Sequence, residues 1–357
     1  MNLDVDNLWS RLKSGHRYFI AEAGVNHLGD LQLAERMIKE AAFAGADCIK
    51  FQTYKAEKLC VKDAPRFWDP KDFDNFEEQE EDGSQFDSYS ILDSFGEKEH
   101  AELKRLCDKY KIDFMSTPFD FEAADYLDKL NPLGFKIASC DLTNLPFLEY
   151  ISKKNKIMMI STGAASISEI DEAVEVISKH NDKIVIMHCN LCYPTKDEDA
   201  NLGMISHLKE LYGDKYIIGL SDHTTNLMTS AFSYLLGATV FERHYTVDKT
   251  LGKSPDNSFG VDPQELGTLI LNTNKAAQML GLTKKRPTFS EQKARKYARR
   301  SIVTNREIKK GETFTEDMLT YKRPGTGISP KFVHDIIGKS ATRELQKDII
   351  LDFGDIE

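Results

Sequence analysis

Eight times between Tyr18 and about Met279 the chain repeats one form: a short apolar run, a polar or glycine-containing turn, then a helical pattern. The runs are Tyr18–Ala23, Asp47–Gln52, Asp113–Thr117, Gly134–Ser139, Ile157–Thr162, Ile184–His188, Tyr216–Ser221 and Thr239–His244. Between them lie amphipathic segments such as Leu31–Ala44, Phe121–Leu130, Ile167–Lys179 and Leu227–Leu236. Strands covered on both faces read as continuous apolar runs, and these do. Eight strand–helix units of this length predict an α/β fold, a (β/α)8 TIM barrel, over residues 1–282. A doubly wound sheet is the weaker reading, since the glycine fingerprint of a dinucleotide site is absent.

The runs also end alike, on polar side chains: Glu22; Lys50 and Gln52; Ser116 and Thr117; Lys136 and Ser139; Ser161 and Thr162; His188; Ser221, Asp222 and His223; Glu242 and His244. Barrel active sites are built at the rim where strands end. His223 and His244 close neighbouring strands beside acidic residues, which predicts two ligands for a divalent cation with positions left open for water or substrate. One rim histidine alone is more often an ordinary hydrogen-bonded residue; two on adjacent strands reverse those odds. Lys50 and Lys136 could each form a Schiff base or serve as a point charge for phosphate or carboxylate. With the hydroxyls of Ser116, Thr117, Ser139 and Ser161 they read as an anion cradle. His188, Cys189 and Cys192 lack the second pair a structural zinc site needs, and a buried strand end is the better reading.

The stretch 54–95 is long for a barrel loop and carries Trp68, Phe73, Phe76, Phe86 and Tyr89 among its acids, so it is expected to form a structured cover over the rim. The acidic run from Asp69 to Asp87 reads as a solvated face. Residues 283–298 are basic and polar and read as a linker to a second unit, 299–357, which is small for an independent core and is expected to dock elsewhere.

Net charge of −10 argues against nucleic acid or an anionic membrane as partner. No apolar run approaches the ~20 residues that span a bilayer. The charged N-terminus lacks a secretory signal, and six scattered cysteines fit free thiols in a reducing cytoplasm.

The pieces IAEAGVNHLGD, IKFQTY, STPFD, FKIAS, ISTGAAS, CYPTKDEDANLGMI, GLSDHT, FERHYTVDK and IKKGETFTEDMLTYKRPGTGIS together resemble the sialic acid synthase family. That resemblance implies condensation of phosphoenolpyruvate with the open-chain aldehyde of an N-acetylated hexose. It also implies a C-terminal antifreeze-like (SAF, β-clip) domain and a domain-swapped homodimer in the cytoplasm. By position it implies that Lys50, Thr117, Lys136, Ser139, Ser161 and Ser221 hold phosphoenolpyruvate, and that His223 and His244 bind Mn or Mg. Glu22, Gln52, Tyr193, Glu242 and Asp256 would face the sugar, and Arg323 would reach it from the other subunit. Glu242 is the first candidate for proton handling and Glu22 the second. Leu191 stands where the sialic acid enzymes usually carry asparagine, so a sialic, legionaminic or pseudaminic type of product stays open. Two other activities remain: a class I Schiff-base aldolase on the same barrel, and a non-catalytic sugar-binding protein.

Overall fold

The computed structural model describes residues 4–77 and 83–357. The chain forms two compact units that part after Gly281. In the first, eight parallel strands are β1 (Tyr18–Gly24), β2 (Cys48–Thr53), β3 (Asp113–Pro118), β4 (Gly134–Ile137), β5 (Ile157–Ser161), β6 (Ile184–Cys189), β7 (Ile217–Asp222) and β8 (Val240–His244). Their order is β3-β2-β1-β8-β7-β6-β5-β4, and β3 lies against β4, so the sheet closes on itself as a TIM barrel with helices outside. The expected Gly134–Ser139 strand stops at Ile137, because Ser139 already opens a 3-10 turn through Asp141.

Alternation along the strands sorts the side chains into two cores. Inward positions (Ile20, Cys48, Met115, Ile157, Met159, Val185, Met187, Ile217 and Val240) fill the barrel, and Leu8, Trp9 and Leu12 of the N-terminal helix Val5–Lys13 pack into the same cluster. Outward positions (Phe19, Ala21, Ile49, Phe51, Phe114, Phe135, Ile186, Leu220 and Phe241) meet the helices. Helix Leu31–Ala44 shows how the outer layer is specified. Ala34, Met37, Ile38 and Ala41 recur at helical spacing on its buried face. Asp30 caps its start by accepting from the backbone of Gln32 and Leu33, and Gly45, with φ of 96°, ends it in the left-handed region.

The stretch after β2 carries a short helix Ala56–Leu59, a 3-10 turn Pro70–Asp72 and a helix Gln85–Leu92, the last started by a Ser84–Asp87 capping box. Of the acidic run, Asp69, Asp72, Asp74, Glu77 and Asp87 are exposed, while 78–82 lie outside the described residues.

The second unit, 282–357, opens with a short helix, Gln292–Tyr297, and pairs β9 (Ser301–Thr304) with β10 (Leu319–Lys322) antiparallel. It has a core of its own, with Ile302, Ile308, Phe314, Ile336, Leu345 and Leu351 buried together. Among the described residues no helix is long and apolar enough to cross a membrane.

Candidate active site at the C-terminal rim

One cavity of about 590 Å³ opens where the strands end. Its wall includes Glu22, Lys50, Gln52, Thr117, Lys136, Ser139, Ser161, Tyr193, Ser221, His223, Glu242, His244 and Asp256. The barrel thus brings together thirteen of the fourteen residues picked from the sequence; Arg323 lies in the second unit, just after β10. Strand register does the gathering. Glu22 stands opposite Lys50 on β2 and His244 on β8, and Ser221 stands opposite Glu242.

Not every polar strand end faces the cavity. Ser116 points outward, bonding Thr53 Oγ1 at 2.6 Å and the Phe51 carbonyl at 3.0 Å, so it leaves the expected anion cradle. His188 binds the Ala200 carbonyl at 2.8 Å, and Asp222 turns away to pair with Arg243. The reason is the two-residue period of a strand: when Thr117 or Ser221 faces in, its neighbour faces out.

Inside, the charges interlock. The Lys50 ammonium lies 2.7 Å from Glu22 Oε2 and 3.8 Å from Glu242 Oε2, and donates to Thr117 Oγ1 at 2.8 Å. Lys136 Nζ lies 3.6 Å from Glu242 Oε1, to which Ser221 also donates at 2.9 Å. Gln52 donates to Glu22 Oε1 at 3.0 Å. Burial by itself pushes both carboxyls up. For Glu22 burial wins, against the opposing pull of Lys50. For Glu242 the ammoniums of Lys136 and Lys50, helped by the Ser221 hydroxyl, overcome burial and hold it at about 2. Lys50 is raised in turn: burial disfavours its charge, but Glu22 and Glu242 outweigh that. Ser161 keeps a buried hydroxyl with no partner among the described residues, and Gly163 N–H donates to Ser139 Oγ at 3.0 Å.

On the adjoining wall the His223 and His244 rings lie 5.2 Å apart. His223 Nδ1 donates to the Asn190 carbonyl at 2.6 Å, so in the neutral ring the lone pair is on Nε2. His244 Nδ1 lies 3.2 Å from Asp256 Oδ2, and the Tyr193 ring lies against His223, centroids 4.1 Å apart and tilted by 35°. Among the described residues no three His, Cys, Asp or Glu side chains gather closely enough to hold a metal ion unaided. Two neighbouring imidazoles, one with its tautomer set by a backbone carbonyl, fit an ion that keeps several positions open.

The cover over the rim supplies Trp68, Phe73, Phe76 and Tyr89 to the cavity wall. The indole N–H of Trp68 is buried and has no acceptor among the described residues. Sequence reasoning missed Asn144, Ser254 and Cys189 as lining residues. Cys189 lies 3.5 Å from Ser139 Oγ and 3.9 Å from His223 Nδ1. The signal for it was alternation: Val185 and Met187 face inward, so Cys189 must as well.

A sequence model described as the NeuB family matches residues 37–285, and one described as the SAF domain matches 299–357. The N,N'-diacetyllegionaminic acid synthase of Campylobacter jejuni is 40% identical over 93% of this chain and 98% of its own length. The N-acetylneuraminate-9-phosphate synthase of Homo sapiens is 32% identical over 93% of this chain and 90% of its own. Among solved structures, the N-acetylneuraminic acid synthetase of Leptospira borgpetersenii superposes with a TM-score of 0.66 at 37% identity, covering 78% of this chain and 90% of that one. With a barrel matched by the family over most of its length and a matched C-terminal domain behind it, the chain belongs to the NeuB family.

Proposed function

We propose that the chain is a nonulosonic acid synthase, a carbon–carbon bond-forming transferase that condenses phosphoenolpyruvate with the open-chain aldehyde of an N-acetylated hexose and releases phosphate by C–O cleavage. The observation that carries this is one wall on which Lys50 and Lys136 flank Glu242 beside the paired imidazoles of His223 and His244. The relatives named as legionaminic and N-acetylneuraminate-type synthases support the same class.

In this reading Lys50 and Lys136, with the hydroxyls of Thr117, Ser139, Ser161 and Ser221, hold the phosphate and carboxylate of phosphoenolpyruvate. His223 and His244 would hold a divalent cation, Mn or Mg, whose chemistry when bound is to polarise the aldehyde oxygen. Carbon 3 of phosphoenolpyruvate forms the new bond to the aldehyde carbon, and carbon 2 becomes cationic. Water adds at carbon 2 and loses a proton, and the former aldehyde oxygen gains one. The carbon–oxygen bond to phosphate breaks as the new hydroxyl passes its remaining proton to the departing phosphate and becomes the ketone oxygen.

A carboxyl held at about 2 stores no proton at neutral pH, so Glu242 acts as the fixed anion facing the cationic carbon. Glu22, pushed upward by burial, is the group able to exchange a proton, with Gln52 fixing its orientation. This moves proton handling from Glu242, the first candidate by sequence, to Glu22. Of the two lysines the aldolase alternative could use, Lys50 and Lys136, the first is disfavoured because a Schiff-base lysine needs a lowered pKa, whereas Lys50 is raised. Arg323 reaching the partner's cavity in a domain-swapped homodimer belongs to the same proposal, as does a cytoplasmic location, which fits six cysteines without a disulfide.

The test is phosphate release from phosphoenolpyruvate with Mn and a panel of N-acetylated and 2,4-diacetamido hexoses. Release that needs both substrates and is lost with chelator supports the synthase. Hexose binding by calorimetry with no phosphate release at any metal concentration supports a sugar-binding protein instead.

A further inference from the structure

Behind the two imidazoles, on the outer face of the barrel, lies a buried ion pair that the reaction above does not use. Asp222 and Arg243 stand opposite each other in the β7–β8 register, and each is immediately followed by one of the histidines, His223 and His244. Arg243 Nη1 donates to the Asp222 carboxylate and, at 3.1 Å, to Thr224 Oγ1. Asp222 Oδ1 accepts the Thr224 backbone N–H at 2.9 Å, and Thr224 Oγ1 lies 2.9 Å from Thr229 Oγ1 at the start of helix Thr229–Leu236. Arg243 is 2% exposed and Asp222 is 3%.

As a stabiliser the pair is poor. Among the described residues two guanidinium nitrogens, Nε and Nη2, have no acceptor, and the preceding outward positions on the same strands are the apolar Leu220 and Phe241. Apolar residues of similar size in place of a buried ion pair often leave a fold as stable or more so. What the pair does achieve is geometric: it ties the ends of β7 and β8 together directly behind the residues that project into the cavity.

We propose that Arg243, through Asp222, is a positioning residue that sets the spacing of His223 and His244 and so the affinity of the cation site. This rests on the metal reading of those two histidines. The test compares the metal-free full-length protein with the double variant Asp222→Leu/Arg243→Met, using circular dichroism and thermal melting for fold, and calorimetric Mn²⁺ titration for the site. The expected result is a folded variant whose Mn²⁺ dissociation constant rises ~10-fold or more while phosphoenolpyruvate binding to the metal-free protein changes by less than about two-fold. A merely structural role would move the melting temperature and leave the Mn²⁺ affinity of the folded protein unchanged. Arg243→Lys, which keeps charge but loses the planar fork, carries the test if the double variant fails to fold; unchanged Mn²⁺ affinity in it overturns the proposal. Equal Mn²⁺ affinity in parent and folded double variant overturns this proposal alone. A parent that takes up no Mn²⁺ overturns the cation site and this proposal with it.

Discussion

Replacing Glu242 with glutamine keeps the side-chain size and an acceptor for Ser221 but removes the anion between two ammoniums. A charge pair near 4 Å at an effective dielectric constant of about 20 is worth about 4 kcal/mol. Lys136 and Lys50 lie at 3.6 and 3.8 Å, and burial of the carboxylate offsets part of their pull. The net is the fall of the Glu242 carboxyl from its usual 4.5 to about 2, equivalent to about 3 kcal/mol. The sign is definite: a carboxyl lowered in the folded state stabilises above its unfolded value and loses that contribution as pH falls. Glu242→Gln should therefore melt roughly 5–10 °C below the parent at pH 7, with the gap closing as pH drops from about 4.5 toward 2. Thermal melting of both proteins across pH measures this directly. In the phosphate-release assay the same variant should bind substrates yet turn over roughly 10²-fold more slowly, as loss of one preorganised electrostatic contact does. An equal gap at pH 3 and pH 7, or equal melting temperatures throughout, would refute the claim that the two lysines dominate this carboxylate.

Lys50→Met should raise the KM for phosphoenolpyruvate by roughly 30-fold or more, since it strands Glu22 and removes a buried cation from the anion cradle; the KM series in the same assay checks it. Borohydride reduction in the presence of substrate should leave no covalent adduct on Lys50, which is held as an ammonium, and an adduct on Lys50 or Lys136 would support the aldolase instead. Trp68→Phe keeps the aromatic wall but deletes a buried N–H that has no acceptor among the described residues. It should raise the KM for the hexose roughly 5- to 10-fold and leave that for phosphoenolpyruvate unchanged; equal effects on both would remove the indole from sugar recognition.

Much of the site was legible because barrel strands are short and end at one rim, so a polar residue closing an apolar run already points to the cavity. Lys50, Lys136, Ser221 and Glu242 were found that way. Ser116 and Asp222 were equally polar and equally placed, yet face outward, since one residue along a strand reverses the side of the sheet. Cys189 is the buried strand end it was read as, but that reading did not show that it also borders the cavity beside His223. Trp68 could be placed on a covering loop, but not its unpartnered N–H, which depends on what Tyr89 and Phe67 leave beside it.

The sequence by itself determined the eight-unit barrel, the second unit behind it and the set of residues from which a rim site must be drawn, because periodicity and strand ends are local properties of the chain. Only the tertiary structure decided that Glu22 and Glu242, alike in type and position, part in opposite directions. Burial acts on both. Two ammoniums flank Glu242 and one meets Glu22, an arrangement set by the register of strands far apart in sequence, and it sends one carboxyl down while burial takes the other up.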